Sequence, residues 1–76
     1  MAGLDMWTVY APGTDGQGQY VARCWHVEGG EATPTGHTMH AMTLELMRAL
    51  LTRMVGCDTV FPRQDGDEFN IVETWV

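Results

Sequence analysis

The sequence predicts an α+β fold in which one helix packs on one face of an antiparallel sheet of three to five strands. Two segments near the start are rich in aromatic and β-branched residues, one later segment repeats apolar residues at helical spacing, and the last eight residues again have strand composition. The expected order is β-β-(β)-α-(β)-β. We expect a single domain over residues 1–76, because a second independent core would not fit in this length.

The first two strands are predicted over Met6–Tyr10 and Tyr20–Val27, where aromatic and β-branched residues concentrate. The nine residues between them include three Gly, one Pro and one Asp, a composition typical of a turn. We therefore expect an antiparallel hairpin whose long connection does not set the register by itself. Residues 28–36 interrupt this pattern. Residues 37–42 are ambiguous between a short third strand and the approach to the helix.

The helix is predicted from about Thr43 to Val55. Thr43 is a suitable N-cap, and Gly56 suits the left-handed residue that ends a helix. Apolar residues at helical spacing form one stripe expected to face the sheet: Leu44, Met47, Leu51, Met54 and Val55, widened by Leu46 and Leu50. Flexible methionine side chains fill irregular gaps well, and that role is expected of Met39, Met42, Met47 and Met54.

The last third of the chain is predicted to hold a short strand over Cys57–Phe61, a polar loop, and a strand over Phe69–Val76. The terminal strand is a candidate sheet edge, and an exposed edge can pair with a second copy, so we expect that a homodimer can form. Three tryptophans would overfill so small a core, so we expect at least one near the surface: Trp7, Trp25 or Trp75.

Charge and composition exclude several classes of protein. Ten acidic residues against four arginines, with no lysine, give a net charge of −6. Direct nucleic-acid binding needs clustered basic residues, so we expect none. No stretch approaches the roughly 18 apolar residues of a membrane span, and the start does not have the composition of a signal peptide. Two cysteines 33 positions apart do not make a disulfide framework, which favours reduced thiols in a cytoplasmic protein.

The sequence carries no catalytic motif. It has no serine, and Cys24 with His26 lacks a third residue that would orient the base. A metal site could use His26, His37 and His40 with a cysteine, but their spacing matches no zinc module. The glycines of residues 11–19 lie between two strands rather than before a helix, so they do not form a phosphate cradle. We therefore predict no enzymatic activity, no metal and no cofactor.

Acidic residues concentrate near the end of the chain. Between positions 58 and 73 there are five acids and one base, Arg63, a local net charge of −4. The predicted partner-binding residues are these five acids: Asp58, Asp65, Asp67, Glu68 and Glu73. The expected partner is a protein with a basic surface, since opposite charges speed association. A merely solubilising surface is the alternative interpretation of the same charges.

Short segments across most of the chain resemble small bacterial and prophage proteins of unknown function. They are Trp7–Tyr10, Tyr20–Arg23, Pro34–Thr35, Thr43–Leu44, Phe61–Arg63, Ile71–Glu73 and Trp75. The resemblance implies a small α+β fold in a mobile element of a bacterial host, and no activity. Gly36–Thr38, ahead of the helix, is weakly similar to HicB-type antitoxins, although the acidic residues expected after that threonine are absent.

Size, charge and the absence of catalytic motifs favour a small acidic binding protein of phage or mobile-element type. We expect it to inhibit a bacterial nucleic-acid-handling complex through its acidic surface, as anti-CRISPR proteins do. Two alternatives stay open: an antitoxin-like regulator that masks a partner protein, and a small metal- or thiol-dependent protein.

Overall fold

The computed structural model describes residues 3–12, 18–64, 66 and 70–76. Five strands lie within these residues: β1 (Leu4–Tyr10), β2 (Tyr20–Glu28), β3 (Glu31–Ala41), β4 (Val60–Pro62) and β5 (Ile71–Trp75). Helix α1 spans Leu44–Leu50 and continues as a π-helical turn, Leu51–Val55. The strands form one antiparallel sheet in the order β3-β2-β1-β5-β4, and the helix packs on one face, which confirms the predicted α+β fold.

β1 and β2 form the predicted antiparallel hairpin, in which pairing runs from Leu4 opposite Val27 to Tyr10 opposite Val21. Trp7 and Val9 of β1 lie on the face that the helix covers, opposite Cys24 and Ala22 of β2. All four are buried, and together with the helix they form the centre of the core. The residues that alternate with them point to the other face of the sheet, because side chains in a strand repeat every two residues.

The third strand is longer than the sequence predicts. The interruption is confined to Gly29 and Gly30, whose φ angles of 61° and 83° form the two-residue turn between β2 and β3. β3 then runs through Pro34 and Gly36, two residues that usually interrupt strands. It tolerates them because β3 lies at the sheet edge, where an absent N–H and a local bulge are least disruptive.

The prediction that the last strand forms a sheet edge is wrong. β5 pairs with β1 on one side and with β4 on the other, so that Trp75 lies opposite both Trp7 and Val60. The two edges are instead β3 and β4, and each contains a proline, Pro34 or Pro62. A proline removes one N–H donor from its strand, which makes both edges poorer templates for pairing with a second copy.

The ends of the helix are as predicted. The Thr43 hydroxyl accepts a hydrogen bond from the Leu46 N–H at 3.1 Å, and Gly56 has the left-handed φ of 88°. The Cys57 N–H then bonds to the Leu51 carbonyl, so the predicted strand over residues 57–61 forms only from Val60 onward. No helix within the described residues is long and apolar enough to cross a membrane.

The face of the helix that meets the sheet is narrower than predicted. Met47 and Leu51 are fully buried, whereas Met54 is 76% exposed. The π-helical turn is wider than an α turn, which rotates Met54 away from the sheet. The expectation that four methionines fill core gaps is therefore wrong for Met42 and Met54. Of the predicted stripe, three residues are exposed: Leu46, Met54 and Val55.

Candidate partner-binding surface

The five acidic residues that the sequence groups into one site do not share one surface. Asp58 precedes β4 at one end of the sheet, whereas Glu73 pairs with Pro62, the last residue of β4, toward the other end. Asp58 and Pro62 are separated by about 13 Å of extended chain. Asp65, Asp67 and Glu68 lie outside the described residues.

Glu73 joins the helix to the sheet and is 5% exposed. The Arg48 guanidinium donates two hydrogen bonds to its carboxylate, at 3.0 and 2.8 Å, and the Trp75 indole N–H donates a third at 2.7 Å. These bonds, chiefly those from Arg48, hold the pKa of Glu73 below its usual range. With both carboxylate oxygens occupied inside the fold, Glu73 is not an acid that a partner can reach.

Four other acids meet at one end of the sheet, which we call the acidic end: Asp5, Glu28, Glu31 and Asp58. Asp5 is the second residue of β1, and Glu28 and Glu31 flank the turn between β2 and β3. The Asp58 N–H donates a hydrogen bond to the Val76 carbonyl, just beyond β5. Because neighbouring strands lie about 4.8 Å apart, five strands spread these carboxylates across about 19 Å. All four side chains belong to exposed residues.

Charges at the acidic end are only partly compensated. Asp5 is 3.1 Å from the imidazole of His26, in an exposed pair. Glu28 lies directly opposite Glu31, an arrangement of like charges that costs stability. Within the described residues, the ion pair at the acidic end is therefore the one between Asp5 and His26.

The surroundings of the Cys57 thiol do not activate it as a nucleophile. Cys24 and Cys57 are free and buried. Burial, followed by the nearby charge of Asp58, raises the pKa of the Cys57 thiol, whereas an activated cysteine needs a lowered pKa. His37 and His40 lie on the exposed β3 edge. Among the described residues no three histidine, cysteine or acidic side chains cluster closely enough to hold a metal ion.

The face of the sheet opposite the helix, which we call the uncovered face, is apolar across β1 and β2. Its apolar members include Leu4, Met6, Tyr10, Val21, Trp25, Val27 and, from β4, Phe61. Antiparallel sheets with one solvated face usually alternate apolar and polar residues, and these two strands do not. Sequence reasoning missed this surface, although the signal is present: both alternating sets of residues in β1 and β2 are mainly apolar.

No family model matches the chain, and no curated protein or solved structure is significantly similar to it. Its function is therefore inferred from the position and chemistry of its own residues. Two surfaces stand out among the described residues: the acidic end and the uncovered face.

Proposed function

We propose that this protein is a small non-enzymatic binding protein of phage or mobile-element type that inhibits a bacterial nucleic-acid-handling complex. The acidic end is the surface that occupies the basic groove of that complex. The observation that supports this is the convergence of Asp5, Glu28, Glu31 and Asp58, which come from separate parts of the chain.

The dimensions of the acidic end suit a groove that normally holds nucleic acid. Its width of about 19 Å equals between five and six nucleotide steps at 3.4 Å per nucleotide of one strand. Each exposed ion pair contributes little alone, about 0–1 kcal/mol. Several carboxylates acting together would mainly accelerate association with a basic groove, and salt would weaken that effect.

A phage-plating assay tests the proposal. The protein is expressed in bacteria whose CRISPR–Cas system targets an infecting phage, across several effector types. Inhibition of a susceptible system should raise the number of plaques above that of an empty vector. Plaque numbers equal to those of an empty vector with every effector would overturn the proposal.

Two triple charge reversals locate the contact. Glu28→Lys/Glu31→Lys/Asp58→Lys changes the acidic end, and Asp65→Lys/Asp67→Lys/Glu68→Lys makes the same change of net charge in the 63–70 connection. We expect only the first to abolish inhibition. Loss of inhibition in the second variant alone would place the contact at the loop that the sequence predicts. With purified effector the difference should shrink in salt, as the Debye length falls from about 10 Å at 0.1 M to about 3 Å at 1 M.

A further inference from the structure

The uncovered face differs from the rest of this acidic chain in its charge. Of the ten acids in the sequence, none occupies a paired position of β1 or β2 on this face, and none lies opposite them on β3. Its exposed charged group is Arg23, whose guanidinium carbon lies 5.6 Å from the centre of the Tyr10 ring. In the paired positions of β1, β2 and β3, this apolar face therefore carries one cation and no acid, and it adjoins the acidic end.

A pocket opens on this face where β2 meets β3. Its volume is about 120 Å³, and Arg23, Trp25, Pro34 and Thr38 line it together with the bulged part of β3. The bulge arises because Arg23 pairs with Thr38 while Trp25 pairs with Pro34, which leaves residues 35–37 opposite a single residue of β2. The pocket is thus a consequence of the strand irregularity.

The bulge that forms one wall of the pocket has its own hydrogen bonds. The Thr35 hydroxyl donates to the Cys24 carbonyl at 3.2 Å and accepts the His37 N–H at the same distance. Gly36 adopts a φ of 87°, which a glycine reaches without the strain that a side chain would cause. With no N–H at Pro34 and the His37 N–H already bonded, this stretch of the edge is a poor template for an added strand.

Pocket size and charge define the chemistry of an occupant. A cavity of about 150 Å³ accommodates benzene, so one of about 120 Å³ suits an aliphatic side chain. The Arg23 guanidinium at its rim offers paired donors that match a carboxylate. We propose that the uncovered face docks a segment of a partner protein that places an aliphatic side chain in this pocket and an aspartate or glutamate on Arg23.

Charge also argues against a second copy of this chain, and against nucleic acid, as the occupant of the uncovered face. Symmetric packing of two copies through this face would bury both Arg23 guanidiniums, and the paired positions of the face offer no acid to pair with either of them. A nucleic acid would meet the aromatic residues, but its phosphates would be repelled by a net charge of −6. A protein segment that supplies its own carboxylate satisfies both the apolar surface and the cation.

The test uses four capped hexapeptides that differ at two central positions: Leu-Asp, Leu-Asn, Ser-Asp and Leu-Lys. Each is titrated into the full-length ¹⁵N-labelled protein, and amide shifts are followed by NMR. We expect the Leu-Asp peptide to bind most tightly and to shift the signals of Arg23, the Trp25 indole and Gly36. Loss of the charge in the Leu-Asn peptide should weaken binding about three-fold.

Two arginine variants test whether Arg23 causes the preference for the Leu-Asp peptide over the Leu-Asn peptide. Arg23→Gln should abolish the difference between the Leu-Asp and Leu-Asn peptides while leaving the spectrum of the folded protein otherwise intact. Arg53→Gln, the same change at an exposed position of the π-helical turn, should preserve it.

Several results would overturn the proposal. These are the absence of shifts with any peptide at millimolar concentration, equal affinity for the Leu-Asp and Leu-Asn peptides, or shifts confined to residues outside the uncovered face. Shifts of this face on dilution without peptide would assign it to a second copy. Shifts caused by hexathymidylate, but not by the peptides, would assign it to nucleic acid.

Discussion

The two faces of the sheet are built from the same strands, but only one is completed by the chain itself. On the covered face, Val9 and Ala22 are fully buried beneath Met47 and Leu51. On the uncovered face, the residues that alternate with them are also mainly apolar, yet Leu4 is 52% exposed. β1 and β2 therefore carry more apolar surface than the core uses, which is typical of a surface that binds another molecule.

The charges of the two faces differ in the same way. The covered face holds the buried carboxylate of Glu73, and the chain supplies its counter-charge from Arg48. The uncovered face holds Arg23, which lies over the Tyr10 ring and forms no ion pair with any of the described residues. The chain thus supplies its own counter-charge on the covered face, whereas on the uncovered face the proposed partner would supply the counter-charge of Arg23.

The largest loss of stability is expected from a charge placed in the core between the helix and the covered face. Leu51→Asp places a charge at a fully buried position, and we expect the free energy of unfolding to fall by at least about 3 kcal/mol. Met54→Asp, three residues further along the same helical segment and 76% exposed, is the matched control and should lower the free energy of unfolding by less than about 1 kcal/mol. Urea denaturation measures both, and similar losses would contradict the assigned core.

A smaller effect is expected from Glu73→Gln, which removes the charge but keeps a hydrogen-bond acceptor near Trp75. Because Arg48 is half exposed, the loss should be about 1–2 kcal/mol, below that of a fully buried ion pair. Glu45→Gln, at an exposed acid of the same helix, should be nearly neutral in the same urea denaturation. Equal losses would show that the Arg48 pairing contributes nothing specific.

The loss of stability caused by Glu73→Gln should depend on pH, and its direction follows from the lowered pKa of Glu73. The folded-state pKa of Glu73 lies below the ordinary value of about 4.3, so its stabilising effect is fully present above that pH. The effect is lost as the pH falls through the lowered pKa. The difference in unfolding free energy between the parent and Glu73→Gln should therefore shrink below about pH 4, and a constant difference from pH 7 to pH 3 would contradict this.

The smallest effect on stability is expected on the uncovered face. Leu4→Ser/Phe61→Ser removes two apolar side chains that are 52% and 48% exposed. We expect the free energy of unfolding to change by less than about 1 kcal/mol, while binding of a hydrophobic dye decreases. A loss as large as that of Leu51→Asp would mean that this face belongs to the core.

Local patterns in the sequence were sufficient for several elements. Alternating residues placed β1 and β2 in a hairpin with Trp7 and Val9 on one side, and the cap residues Thr43 and Gly56 located both ends of the helix. These features depend on neighbours within a few residues, which is why sequence alone determines them.

Only the tertiary structure decided which acids share a surface and which side chains the core uses. Glu73 and Asp58 belong to one acidic stretch of sequence, but pairing across the sheet turns Glu73 inward toward Arg48 and leaves Asp58 exposed at the end of the sheet where β1 begins. Met54 fits the helical stripe, yet the π-helical turn exposes it. The physical reason is that burial and charge proximity depend on contacts between distant segments, whereas the sequence displays only the order of residues along the chain.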